Sequence, residues 1–249
     1  ADGTPVPCGV TVRSRWGHRP ESSVRWLGVD FQPEAAGAWW PDRREVKYYL
    51  EFGPEVAPAA APRPKAVETP DGIEVDAGAL RFLVRRQGFN LLDNVHLNGA
   101  PVLTSTPRHG LYLVDHEGAT YRAANDRAVA LCIEEQTDLR VVLRAEGWYV
   151  KDGSAGETLS HSLPTDKLCK FVTRIEAHAG KPWVRVLTTW ILTYDSFTVR
   201  LRDVGFSLPA PGVSRAAFGV EGAPPIVQPV GPDGLYLIQH LHNAFAVEN

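Results

Sequence analysis

The decapeptide GLYLIQHLHN, Gly234 to Asn243, holds the densest set of groups able to move protons. Drawn out as a strand it places Tyr236, His240 and His242 on one face, with Ile238 between them. A tyrosine and two histidines at that spacing could act as general acid and base, because imidazole titrates near neutral pH and a phenol can pass on a proton. The opposite face, Leu235, Leu237, Gln239 and Leu241, is apolar, so a plain strand with its histidine side in water describes the pattern too and is the preferred reading. His240 and His242 also stand at alternate positions from which two side chains can converge on a metal, but no third ligand is identifiable.

Two further groups could recognise a ligand. In TPRHGLYLVDHEG, Arg108, His109, Tyr112 and His116 surround a short apolar strand, where they suit either a solvated edge or a carboxylate contact. Trp39 and Trp40, followed by Pro41 and Asp42, lie between a small-residue stretch and a charged run. Adjacent planar rings in a loop can stack on sugar faces, pack into the end of a barrel, or anchor an interface. Trp183 and Trp190 sit in an alternating strand and are expected in the core, and Trp148-Tyr149 at the core or its rim. No glycine-rich phosphate loop, paired CxxC, HExxH or GxSxG elbow is present. Cys8, Cys132 and Cys169 lack metal-ligand spacing; as the latter two lie in apolar runs, buried free thiols are favoured over one disulfide.

The elements that must carry these residues have a period of two. CKFVTRIEAHAG turns Cys169, Phe171, Thr173, Ile175 and Ala177 one way and Lys170, Arg174, Glu176 and His178 the other, as a half-buried strand does. VRVLTTWILTY reads as a strand covered on both faces. LRVVLRAEGWYV, VRWLGVDFQ, VKYYLEF and TVRLRDVGFSL alternate in the same manner. Turn residues separate these runs at Pro70-Asp71-Gly72, Asn98-Gly99, Lys151-Asp152-Gly153, Ala179-Gly180-Lys181-Pro182 and Pro232-Asp233-Gly234. Twelve or more strands at intervals of about 8 to 15 residues predict an all-β, antiparallel sandwich or barrel system with little helix. Pro54 to Ala66 reads as an extended connection, and the breaker-rich Pro209 to Gly234 as a weak boundary with few strand signals.

Two blocks carry a family resemblance. VETPDGIEVDAGALRFLVRRQGFNLLDNVHLNGAPVL, Val67 to Leu103, resembles the N-terminal β-barrel, of RIFT-barrel type, in the exo-acting rhamnogalacturonan lyase or YetA-like polysaccharide lyase family. LRVVLRAEGWYVKDG and FVTRIEAHAGKPWVRVLTTWILTYD resemble the strands that open the β-sandwich of the same proteins, and SSVRWLGVDFQ is similar to an earlier strand, with Glu21-Ser22-Ser23 at its turn. The matching motifs are turn glycines and alternating apolar positions, which specify architecture more sharply than chemistry. The resemblance implies a barrel-like domain over residues 1–135 and a sandwich domain, whole or incomplete within this chain, over 136–249. It also implies β-elimination on uronic-acid-containing glycans; for such chemistry the residue types and spacing described above, not the resemblance, offer Tyr236, His240 and His242 as candidate catalytic groups and Trp39, Trp40, Arg108 and His109 as candidate substrate contacts. Family members are several times longer and add a helical barrel that looks like the main housing of the cleft. A non-catalytic glycan-binding or assembly module is therefore the alternative, and further domains or self-assembly are open to it.

Composition narrows the partners. Twenty-six basic and 29 acidic side chains give a net charge of −3, which disfavours a chain-wide nucleic-acid surface. No apolar run reaches the roughly 20 residues of a membrane helix. Methionine is absent, even at position 1, which fits a chain that starts after processing or trimming and is compatible with a secreted, periplasmic or cell-surface location. No cofactor or metal is assigned; Ca²⁺ would suit lyase chemistry but has no ligand set here.

Overall fold

A computed structural model describes residues 4–33, 47–57, 59, 63–104, 109–154, 166–209, 211–219, 224–241 and 244–248. Among them are eighteen β-strands, one short 3₁₀ turn at Ala123–Asn125 and no α-helix. Every named strand pairing is antiparallel. The all-β expectation holds: the described strands form five sheets, of which the two largest pack on each other in a sandwich-like arrangement with one of them curled.

Strands β1 (Cys8–Arg15) and β2 (Val24–Phe31) form a two-stranded ribbon. Next come β3 (Lys65–Glu68), β4 (Gly72–Asp76), β5 (Leu80–Arg85), β6 (Asp93–Leu97) and β7 (Ala100–Leu103), a five-stranded meander paired in sequence order. Its turns obey the local code. Leu97 pairs with Ala100, so Asn98-Gly99 closes a two-residue hairpin with φ of 49° and 82°. Both central residues of a type I′ turn need positive φ, and Asn-Gly supplies it at least cost. At the β4–β5 turn the Gly78 N–H donates to Asp76 Oδ1 at 2.9 Å, and Arg81 donates to Asp76 Oδ2 at 2.7 Å.

A seven-stranded sheet follows: β8 (Gly110–Asp115), β9 (Thr120–Arg122), β10 (Ala130–Gln136), β11 (Arg140–Lys151), β12 (Lys167–His178), β13 (Val184–Leu192) and β14 (Leu201–Ser207). Its order is β13-β12-β11-β9-β8-β14, with β10 added alongside β11. The twelve-residue β11 thus serves two partners along one edge, β10 through Val141 to Glu146 and β9 at Val150 and Lys151. A register shift between Trp148 and Val150 in its pairing with β12 lies where the partner changes, and such irregularities let a sheet curl.

The core lies between the meander and this sheet. Ile73, Val75, Phe82, Val84 and Val95 from one side join Leu113, Val141, Leu143, Phe171 and Ile175 from the other in one buried cluster. Phe89, from the β5–β6 connection, stacks on Phe171 at 5.3 Å between centroids, and Tyr149 meets Phe171 edge-on at 5.6 Å. Each of these large side chains stabilises the fold by about 1.5–3 kcal/mol through burial. The alternation proposed for β12 is correct: Cys169, Phe171, Thr173, Ile175 and Ala177 are all buried.

Four expectations are overturned. The run VKYYLEF is not a strand over its described residues 47–52, which are exposed and pair with no neighbouring strand among the described residues. Trp183 and Trp190 are not core residues: they are 48% and 51% exposed. The strand β13 that carries Trp190 ends the sheet, and both of its faces are largely open, with Val186, Leu187, Ile191 and Leu192 exposed as well. Alternation identified the strand but not its place at the edge. Cys132 points out of β10 opposite Arg144 and is exposed, so only Cys169 is a buried thiol; Cys8 is half-buried and all three are free. The segment read as poor in strands contains the hairpin of β15 (Arg215–Phe218) and β16 (Ile226–Pro229). With the hairpin of β17 (Tyr236–Leu241) and β18 (Ala244–Glu248), it makes up a second compact unit, residues 209–249, that begins at the boundary marked by Pro209.

Candidate functional site

The strand drawn for Tyr236 and His240 exists as β17, and both side chains are exposed on one face of it. Four positions along a strand put their Cα atoms about 13 Å apart. The Tyr236 hydroxyl donates to the Asp233 carbonyl at 2.9 Å and so folds back on its own turn. His242, Trp39, Trp40 and Arg108 lie outside the described residues. His109 precedes β8, half-buried, with Nδ1 3.2 Å from the Ser207 hydroxyl on the neighbouring β14. Its companions are also engaged locally: the Tyr112 hydroxyl donates to Asp203 at 3.1 Å, and His116 Nδ1 accepts from the Arg200 N–H at 3.3 Å. Among the described residues no three His, Cys, Asp or Glu side chains converge as a metal site.

The richest constellation is on the outward face of the seven-stranded sheet. Because β11 and β12 pair in register, Arg144 lies opposite Arg174 and Trp148 opposite Lys170. Glu134 keeps the two guanidinium groups together. It accepts from Arg174 Nε and Nη2 at 2.5 and 2.7 Å and lies 3.7 Å from Arg144 Nε, while Arg144 also pairs with Glu146. The hydrogen bonds from Arg174 hold the Glu134 carboxyl below its ordinary range. Toward the β1–β2 ribbon, burial pushes the Glu135 carboxyl up, but donors from Arg140, Arg13 and Thr11 outweigh it and the net shift is downward.

Two aromatic stations flank this charged ladder. At one end the rings of His178 and Trp183 lie 4.9 Å apart beside Glu176 and Arg185, whose side chains pair at 3.6 Å. Burial lowers the His178 pKa, and Arg140 and Arg185 add to that against the pull of Glu176 and Asp30. The imidazole is therefore neutral at pH 7. At the other end Lys170 Nζ and Lys167 Nζ stand 4.9 and 5.7 Å from the Trp148 ring centroid. A cation held on a ring at a partly exposed site gains only about 0.5–1 kcal/mol. Either ammonium is thus easily transferred to a stronger anionic partner.

The strand beneath holds the Trp148 station in place. The Trp148 backbone N–H donates to Asp126 Oδ2 at 2.7 Å, and Asp126 is itself buried. A Cβ at Gly147 would come within 2.7 Å of that carboxylate and 2.9 Å of the Phe171 ring, so glycine is needed for the close approach. On the other side Tyr149 is fully buried in the core. With its neighbours fixed in this way, β11 cannot roll, and Trp148 stays outward. Sequence reading placed Lys170 on the wet side of β12, but it missed the cluster because only the strand register reveals that Lys170 faces Trp148.

Fold and face together define an antiparallel β-sandwich module with a polar, aromatic-bearing outer surface. The model of the PcRGLX-like protein central beta sandwich domain matches residues 65–215, and the chain belongs to this rhamnogalacturonan lyase-like family. The matched span includes the meander, the seven-stranded sheet and its outer face. No curated protein matches the chain.

Proposed function

We propose that this chain is the β-sandwich module of a polysaccharide lyase-like protein that acts on uronic-acid-containing glycans outside the cytoplasm, with an active cleft completed by segments beyond this chain. The family match over residues 65–215 carries the reading. β-Elimination requires a cation to neutralise the uronate carboxylate, a base to take the C5 proton and an acid to protonate the leaving oxygen. The outer face offers cations and a neutral imidazole, His178; the face of Tyr236 and His240 offers a second set of proton-transfer groups, with His242 just after them in sequence a further candidate, and Trp39, Trp40, Arg108 and His109 are candidates for glycan contact. The test is ultraviolet absorbance of unsaturated uronate products when the purified chain meets pectic and other uronic-acid polysaccharides. Rising absorbance that is lost in the His240→Ala/His242→Ala double variant is the expected result if β17 supplies the chemistry; unchanged activity in that variant assigns the site elsewhere.

A second reading, a non-catalytic binding or assembly module, is favoured by one observation. Strand β13 ends its sheet with Trp190, Ile191 and Leu192 exposed. Apolar edge strands are surfaces that other chains or domains add to. A flat absorbance trace, alongside a control lyase active on the same panel, would favour this reading.

A further inference from the structure

We propose that Trp148, Lys167 and Lys170 form a binding site for a single acidic sugar residue, a uronate whose ring lies on the indole and whose carboxylate is taken by the two ammonium groups. The inference rests on the reading that this module meets uronic-acid glycans, and it goes beyond that reading by assigning a place on the molecule. Three observations converge on the site. First, the cations elsewhere on the ladder are already neutralised: Arg174 by Glu134, Arg144 by Glu146, and Arg185 by Glu176. No carboxylate among the described residues pairs with Lys167 or Lys170, whose charges rest on the Trp148 ring at 5.7 and 4.9 Å. Second, the site is built on rigid elements. Trp148 and Lys170 are direct cross-strand partners, the Trp148 backbone N–H is tied to buried Asp126 at 2.7 Å, and Tyr149 beside it is locked into the core. Third, the chemistry is complementary in two parts at once. The apolar C–H face of a pyranose matches an indole, and a carboxylate offers each ammonium a charge-assisted hydrogen bond in place of a weaker contact with the ring.

A neutral sugar would use only the ring, and a small inorganic anion only the ammonium groups. The site therefore discriminates by favouring ligands that make both contacts over those that make one. The probes are trigalacturonate and its fully methyl-esterified form, titrated calorimetrically into the intact chain. Lys167→Gln/Lys170→Gln is expected to weaken trigalacturonate binding about tenfold, the loss of two partly exposed ion pairs, and to leave binding of the ester unchanged. Trp148→Ala is expected to weaken both ligands, and Trp148→Phe, which keeps a ring and disturbs packing less, to restore part of that loss. Thermal unfolding of each variant separates a lost contact from a lost fold. If the double-lysine variant binds trigalacturonate as the unsubstituted chain does, the site is overturned while the module reading stands. If the unsubstituted chain neither binds trigalacturonate or longer acidic fragments nor releases unsaturated product, both are overturned together.

Discussion

Cys132 on β10 and Cys169 on β12 lie on two strands that both pair with β11, yet they face opposite environments, and their reactivity should separate accordingly. Burial pushes the Cys169 thiol up to about 11, so almost no thiolate exists at pH 8 and no reagent can reach it. Cys132 is exposed. Titration of the native chain with an aromatic disulfide reagent is expected to label Cys132 fast, half-buried Cys8 slowly, and Cys169 only after unfolding. Simultaneous labelling of Cys132 and Cys169 would contradict the orientation of β10. The carboxylates of the ladder make a second prediction at this scale. Glu135 has a folded-state pKa below its unfolded value, so its contribution to stability is complete above about pH 4.5 and disappears as pH falls through the folded pKa. Glu135→Gln is expected to cost about 1 kcal/mol at pH 7 and progressively less as pH falls below the unfolded value through the lowered folded pKa, read from denaturant unfolding at pH 7 and at acid pH. An equal loss at both would mean that packing, not charge, is what Glu135 contributes.

At the scale of elements, the same alternating pattern produced two different environments. Phe171 on β12 is fully buried between Phe89 and Tyr149, whereas Trp190, its direct partner on β13, is half open. Phe171→Ala is expected to cost about 3–5 kcal/mol, the range for a buried aromatic, and Trp190→Ala about 1 kcal/mol. Equal costs in urea unfolding would show that Trp190 is covered in solution. Sequence periodicity made β12 legible because one of its faces is charged and the other apolar. It failed on β13 because alternation reports which residues share a face, not whether a further strand or layer covers that face. The turns were legible for a local reason: Asn98-Gly99 and Pro70-Asp71-Gly72 demand backbone angles or rigidity that few other residues tolerate. The β15–β16 hairpin was not legible, since short strands among glycines and prolines leave too few alternations to count.

For the whole molecule, near-balanced charge means that a polyanionic glycan meets little long-range attraction. Recognition then depends on local pairs of cation and ring, which is why the binding prediction is directed at two lysines and one indole instead of at overall charge. The absorbance experiment belongs to this scale as well, because elimination needs neutraliser, base and acid on one sugar at the same moment. Within the described residues these groups occur on different elements: His178 and Arg185 on the outer face of the large sheet, Tyr236 and His240 on β17. Activity of the isolated chain would show that one of these sets suffices.

Composition and period by themselves determined that this chain is all-β, antiparallel and free of any membrane-length apolar run, because strand alternation and turn chemistry are local properties of neighbouring residues. The motifs from Val67 to Asp195 also determined the family, since turn glycines and apolar positions record architecture. Only the tertiary structure decided that β13 is an edge, that Cys132 looks outward and that Trp148 faces Lys170. These depend on which strands pair and in what register, and that is settled by contacts between residues such as Trp148 and Lys170 that lie far apart along the chain.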